Sequence, residues 1–122
     1  MAEGKQLEFT DSLKLNYEFR RAYRKGRSAA EPCLVVYARR NGKAGNRLGF
    51  TVSNKLGCAV VRNRVRRKLR EIYRLNEGRL CRGHALVVVA RSRSVGADYW
   101  RLEREFLKAC AGLGLLTEEN EE

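Results

Sequence analysis

Apolar positions along this chain follow two rhythms. Across residues 16–26 the spacing is helical: Phe19 and Tyr23 lie four apart on one face, Asn16 is placed to cap the start and Gly26 to close the end. Pro32 then breaks the chain. Residues 33–39 read as a strand with Val35, Tyr37 and Arg39 on one face. The segment 41–46, Asn-Gly-Lys-Ala-Gly-Asn, has the composition of a hairpin loop, and residues 47–53 form the returning strand. In that strand Leu48, Phe50 and Val52 point one way, while Gly49, Thr51 and Ser53 point the other. The second face is small and polar, which leaves backbone and hydroxyl groups open to a ligand.

The helical rhythm returns at residues 58–74, where Val61, Val65, Leu69 and Ile72 fall on one stripe. Gly78 and Gly83 mark a loop, and residues 84–91 are a β-branched, almost continuous apolar run that fits an interior strand. Asp98 or a neighbour opens a last helix with Leu102, Phe106 and Cys110 on one face, and Gly112 ends it. The order α-β-β-α-β-α, with a helix joining two strands, predicts an α+β two-layer sandwich with a split βαβ unit. Residues 1–122 form one domain, and residues 1–11 and 117–122 read as disordered ends.

Charge changes the picture. The 122 residues carry a net charge of +12. Residues 20–93 hold 21 Lys and Arg against only Glu31, Glu71 and Glu77, while the tail 117–122 carries four Glu. The density peaks in residues 62–74, where seven residues are basic and Glu71 is the only acid. At about 100° per residue, Arg62, Asn63, Arg66, Arg67, Arg70 and Arg74 gather on one flank of the apolar stripe, and Arg64 and Lys68 lie further round. A merely solvated helix face mixes signs for i,i+4 pairing, whereas a face of one sign repels itself. A polyanion relieves that repulsion, so nucleic acid is the expected partner.

Other classes fall away. The polar start lacks the apolar run of a secretion signal, and the longest apolar run, 85–90, is too short to span a bilayer, so a cytoplasmic setting with no membrane partner is expected. Cys33, Cys58, Cys81 and Cys110 are more than twenty residues apart and form no C-x-x-C pair, so they read as reduced apolar fillers. His84, the one histidine, reads as structural. Asp98, Glu103 and Glu105 read as exposed charges, paired with neighbours such as Arg101, rather than as a carboxylate metal site. No Gly-rich phosphate loop and no Ser/His/Asp set is present. The chain is expected to bind and not to catalyse.

The run 48–71 resembles the signature of the bacterial ribonuclease P protein component. Gly-Phe-x-Val-Ser stands at 49–53, Gly-x-Ala-Val at 57–60 and Arg-Asn-Arg at 62–64, followed by the basic run. The Phe19–Tyr23 helix and the Tyr37 strand fit too, and the likeness spans most of residues 14–115. It implies a protein subunit that binds a catalytic RNA and helps remove the 5′ leader of precursor tRNA. The RNA supplies the active site and, with substrate, holds the Mg2+; this chain supplies no catalytic residue, cofactor or metal site and needs no obligate protein partner. The implied fold is like the second domain of a small-subunit ribosomal protein, with a left-handed βαβ crossover that departs from the usual hand.

By position, the resemblance assigns Arg62, Asn63, Arg64, Arg66, Arg67, Lys68 and Arg70 to the RNA subunit. It assigns Phe19, Tyr23, Tyr37 and Thr51 to a leader cleft between the first helix and the sheet, with Ser53 and Lys55 at its edge. Aromatic faces stack on any base and cations track phosphates, so such a cleft accepts leaders of many sequences. Spacing alone assigns Phe19 and Tyr23 to core packing. Two positions depart from the family: Asn54 replaces a frequent Lys, and Cys58 stands where a polar or basic residue is common and is expected to cap its helix weakly. The competing readings are a ribosomal or assembly-type structured-RNA-binding protein and a protein-only nuclease; the absence of a carboxylate cluster speaks against the latter.

Overall fold

The computed structural model describes residues 7, 9–13 and 16–117. The described residues form three α-helices, α1 (Asn16–Lys25), α2 (Ala59–Asn76) and α3 (Tyr99–Gly112). The strands are β1 (Thr10–Ser12), β2 (Arg27–Ala30), β3 (Leu34–Arg40), β4 (Asn46–Thr51) and β5 (His84–Ala90). They form one sheet in the order β1-β4-β5-β3-β2. The α+β class and the three helices match the periodicity. β1 and β2 do not announce themselves, because Thr-Asp-Ser and Arg-Ser-Ala-Ala carry no apolar alternation. Of the ends expected to be disordered, Thr10 and Asp11 belong to β1, and the Thr117 N–H donates to Arg79 O at 2.9 Å. Residues 1–6, 8 and 118–122 lie outside the described residues.

The expected hairpin across 41–46 is corrected. β5 pairs antiparallel with β3 and parallel with β4, so it is inserted between them. The cause is the β5 sequence: its run of Leu86, Val87 and Val88 is buried on both faces, which only a central strand provides. The hairpin that does form joins β2 to β3 around Pro32, closed by Glu31 N–H to Leu34 O at 2.7 Å. The expected βαβ unit is β4–α2–β5, and its strands are direct neighbours. No strand splits that pair; the inserted strand of this sheet is β5 itself.

The two faces of the sheet are covered differently. Leu34, Val36, Leu86 and Val88 pack with Val65, Leu69, Ile72 and Tyr73 of α2 and with Leu102 and Phe106 of α3. Each such side chain contributes about 1.5–3 kcal/mol on full burial. Val87, one residue out of phase, faces the other way and packs with Leu13 and Ala22, joined by Phe19, Tyr37 and Val89. α1 thus adds a partial third layer to the two-layer arrangement.

A buried polar network ties down β1. Glu77, 1% exposed, accepts from Thr10 Oγ1 at 2.7 Å and from Phe9 N–H at 3.0 Å. Asn46 Nδ2 donates to Tyr73 Oη and to Cys81 O, each at 3.2 Å, and Asn46 Oδ1 accepts from His84 N–H at 2.9 Å. Among the described residues no helix is long and apolar enough to cross a membrane.

Glu105, by its burial, departs from the expected exposed and paired acids of α3. Asp98 is its N-cap, accepting from Arg101 N–H at 2.8 Å, and Glu103 accepts from Asn76 Nδ2 at 2.9 Å. Glu105 is buried and not on an exposed face; it accepts Cys33 N–H at 2.7 Å and Arg101 Nε at 3.0 Å. Of the cysteines, Cys33 and Cys110 are buried fillers, but Cys58 is exposed and Cys81 half-buried; all four are free thiols.

Candidate nucleic-acid interface

α1 crosses the sheet from β4 towards β3. Phe19 sits over Gly49, Ala22 packs with Val87, and the helix stops where Gly26 meets β3. A Cβ on Gly26 would lie 2.5 Å from Ala22 O and 2.8 Å from Ala38 O, so only glycine allows this close a finish. Register places Gly49, Val87 and Tyr37 in one row across the sheet, with Thr51, Val89 and Val35 in the next row of the same face. α1 lies over the first row and leaves the second open.

The aromatic residues meet at that boundary. The Tyr23 and Tyr37 rings pack edge to face, with centroids 4.9 Å apart and planes at 76°. Tyr23 Oη lies 2.7 Å from Thr51 Oγ1. Beside them an open groove of about 470 Å3 is lined by Phe19, Arg20, Tyr23, Thr51, Val52 and Arg66. Phe19 thus serves the small core and the groove at once, and Tyr23 is the more exposed of the pair. Tyr37, assigned to the cleft, backs the Tyr23 ring but is not among the lining residues, and sequence reasoning missed Asn16, Arg20, Phe50 and Val52 and gave Arg66 only to the RNA subunit.

Ser53 and Lys55 are exposed on the 3-10 turn Asn54–Leu56, outside the groove lining. Ser53 Oγ caps that turn, accepting Lys55 N–H at 3.1 Å. Asn54 is exposed beside them. Cys58 is the N-cap of α2 and makes no side-chain capping bond, as its chemistry predicts.

α2 divides as its sequence implies. Val65, Leu69, Ile72 and Tyr73 are buried, while Asn63, Arg64, Arg67 and Arg70 are exposed. Among the described residues none of Arg62, Arg64, Arg66, Arg67 or Arg70 is in an ion pair, whereas Arg74 is bound to Glu71. Arg62 Nε donates to Gly57 O at 3.1 Å, and Arg66 Nη1 to Asn63 Oδ1 at 3.0 Å. Two basic residues point away from the rest. Arg66 turns to line the groove, so it joins the helix to the aromatic residues. Lys68 Nζ reaches the other way and donates to Ala97 O at 3.1 Å.

The chain is similar to known proteins of one family. The family model for ribonuclease P matches residues 7–114. The ribonuclease P protein component of Natranaerobius thermophilus is 44% identical over 97 residues, covering 80% of this chain and 84% of that protein. That of Alkaliphilus metalliredigens is 40% identical over 111 residues, covering 91% and 100%. Among solved structures, the Staphylococcus aureus RNase P protein matches with a TM-score of 0.80 and 29% identity, over 87% of this chain and 97% of that one. The Thermotoga maritima RNase P protein matches with a TM-score of 0.74 and 32% identity, over 80% and 93%.

Proposed function

The chain belongs to the ribonuclease P protein family, and we propose that its surface is divided between two RNAs. It is the protein subunit of ribonuclease P, acts in tRNA 5′ processing and associates with the ribonuclease P RNA. In our reading the exposed cationic face of α2, centred on Arg62, Asn63, Arg64, Arg67 and Arg70, docks on that RNA. The groove between α1 and the open row of the sheet holds the single-stranded leader of precursor tRNA.

The observation that carries this reading is Tyr23, backed by the Tyr37 ring, bonded to the Thr51 hydroxyl and lining the groove with Arg66. Aromatic faces here stack on leader bases without reading their identity, and Arg20, Arg66 and Lys55 balance the phosphates. Arg66 belongs to both surfaces, so the leader and the RNA subunit meet at the start of α2. Lys68, tethered to Ala97, contributes least to docking.

The chain's part is to bind and orient. Among the described residues no three His, Cys, Asp or Glu side chains come together in a way that could hold a metal ion. We assign Mg2+ to the RNA and the substrate phosphates, whose oxygens are the ligands that ion prefers.

The test mixes the purified chain with a bacterial ribonuclease P RNA at low Mg2+ and supplies precursor tRNA. Faster 5′ cleavage than RNA alone is expected. No enhancement, with the chain bound to the RNA, would leave only the structured-RNA-binding role.

A further inference from the structure

A second basic surface lies on the far side of α1. Where β3 ends and β5 begins, a cavity of about 630 Å3 opens between the last residues of α1 and the chain that follows α3. Lys25, Arg27, Arg39, Arg40, Arg82 and His84 line it, and no carboxylate does. Among the described residues none of these basic side chains is in an ion pair. Two are held in place: Arg27 donates to Leu113 O, and the Arg82 guanidinium lies 4.2 Å from the Phe9 ring centroid. Five permanent cations are thus gathered with no counter-charge among the described residues.

His84 adds a second feature. Its backbone N–H is used by Asn46, but its Nδ1 is buried with no hydrogen-bond partner. Burial first, and then the nearby Arg40, hold its imidazole below the usual histidine range. An anion beside Arg40 would ease the second effect and favour a protonated, donating ring.

Position and composition separate this basin from the leader groove. Arg39 lies in the row of Ala85 and Arg47, on the opposite side of the α1-covered row from Thr51. The row that α1 covers thus lies between the groove and the basin. The groove offers Phe19 and Tyr23 for stacking, whereas no Phe, Tyr or Trp lines the basin. Cations without stacking platforms suit backbone phosphates rather than splayed bases.

We infer that this basin is a second docking site for the ribonuclease P RNA, binding its backbone phosphates through Arg39, Arg40, Lys25 and Arg82. The inference rests on the chain's association with that RNA. It makes docking two-pronged, with α2 on one side of the leader groove and the basin on the other.

The experiment measures binding of the full chain to ribonuclease P RNA against salt for wild type, Arg39→Ala/Arg40→Ala, Arg39→Lys/Arg40→Lys and the control Arg93→Ala/Arg104→Ala. The basin double-alanine variant is expected to bind more weakly, with its log–log salt slope reduced by about two, one for each lost phosphate contact. The lysine variant keeps the slope, and the control, with equal charge loss elsewhere, keeps wild-type affinity. A control as weak as the alanine variant, or an unchanged slope, overturns the proposal. So does a variant that keeps RNA-subunit affinity but loses precursor tRNA in the assembled enzyme, because the occupant would then be substrate. Failure of wild type to bind the RNA would instead sink the association itself. As a readout free of any variant, the ring NMR signals of His84, the one histidine, shift saturably when inorganic phosphate is added at constant pH and ionic strength. Fixed signals count against the site.

Discussion

The edge of the Phe19 ring occupies the space where a side chain on Gly49 would begin. A Cβ at Gly49 would lie 2.5 Å from both Cε1 and Cζ of Phe19. The absent side chain on β4 therefore sets how deep the α1 aromatic sits, and so the floor of the groove. Gly49→Ala is expected to push the ring outward, costing about 1–3 kcal/mol of stability as overpacking does. Precursor tRNA should lose its affinity advantage over mature tRNA. Urea unfolding and the two tRNA affinities, measured on the assembled enzyme, check this; retention of the advantage would remove Phe19 from the groove's function.

Tyr37→Ala removes one stacking face and the ring against which Tyr23 packs. Precursor binding should weaken by about 1–3 kcal/mol, with mature tRNA unaffected. Equal weakening of both would reduce Tyr37 to a packing role.

On α2, Arg67 is exposed, and among the described residues it has no ion-pair partner. Arg67→Ala should lower the salt slope of RNA-subunit binding by about one. Lys68→Ala should change it less, since Lys68 Nζ is occupied by Ala97 O. Equal slopes for the two variants would contradict the division of the helix described above.

Asn46→Ala should be among the costlier single changes. It strips the partner from the His84 N–H and one partner each from Tyr73 Oη and Cys81 O. Unsatisfied buried groups cost about 1–3 kcal/mol each, so a clear fall in the urea midpoint is expected. A midpoint within error of wild type would mean that water replaces the amide.

Glu105 gives the acid limb of stability. Burial raises its carboxyl pKa, but the Cys33 N–H and Arg101 outweigh this and hold it below the ordinary 4.5. The folded value lies below the unfolded one, so the contribution is present above about pH 4.5 and is lost as pH falls through the folded pKa. Glu105→Gln should destabilise the protein at neutral pH, with the gap to wild type closing in acid. A gap independent of pH would show that the charge plays no part.

Much of the molecule was legible in its sequence wherever burial imposes a period. The Leu102/Phe106/Cys110 stripe and the alternation that puts Gly49 and Thr51 on one face stand as read, and so does the α2 stripe at Val65, Leu69 and Ile72, while Val61 at its start is only half-buried. β1 and β2 escaped because edge strands of polar or very small residues are held by backbone pairing, which leaves no pattern in side chains. Glu105 was misread because a carboxylate four residues after an arginine looks solvated, and the Cys33 N–H that it satisfies is 72 residues away in sequence.

The sequence alone determined that one helix is apolar on one side and cationic on the other, that its partner is a polyanion, and which family its motifs resemble. These follow from local composition and spacing, which act within a few residues. Tertiary structure decided that β5 lies between β3 and β4, that Arg66 turns into the groove while Lys68 turns away, and that Lys25, Arg39, Arg82 and His84 converge on one basin. Those outcomes depend on which strand can bury both faces and on where α1 comes to rest. Both are set by contacts between residues far apart in the chain, which no local pattern encodes.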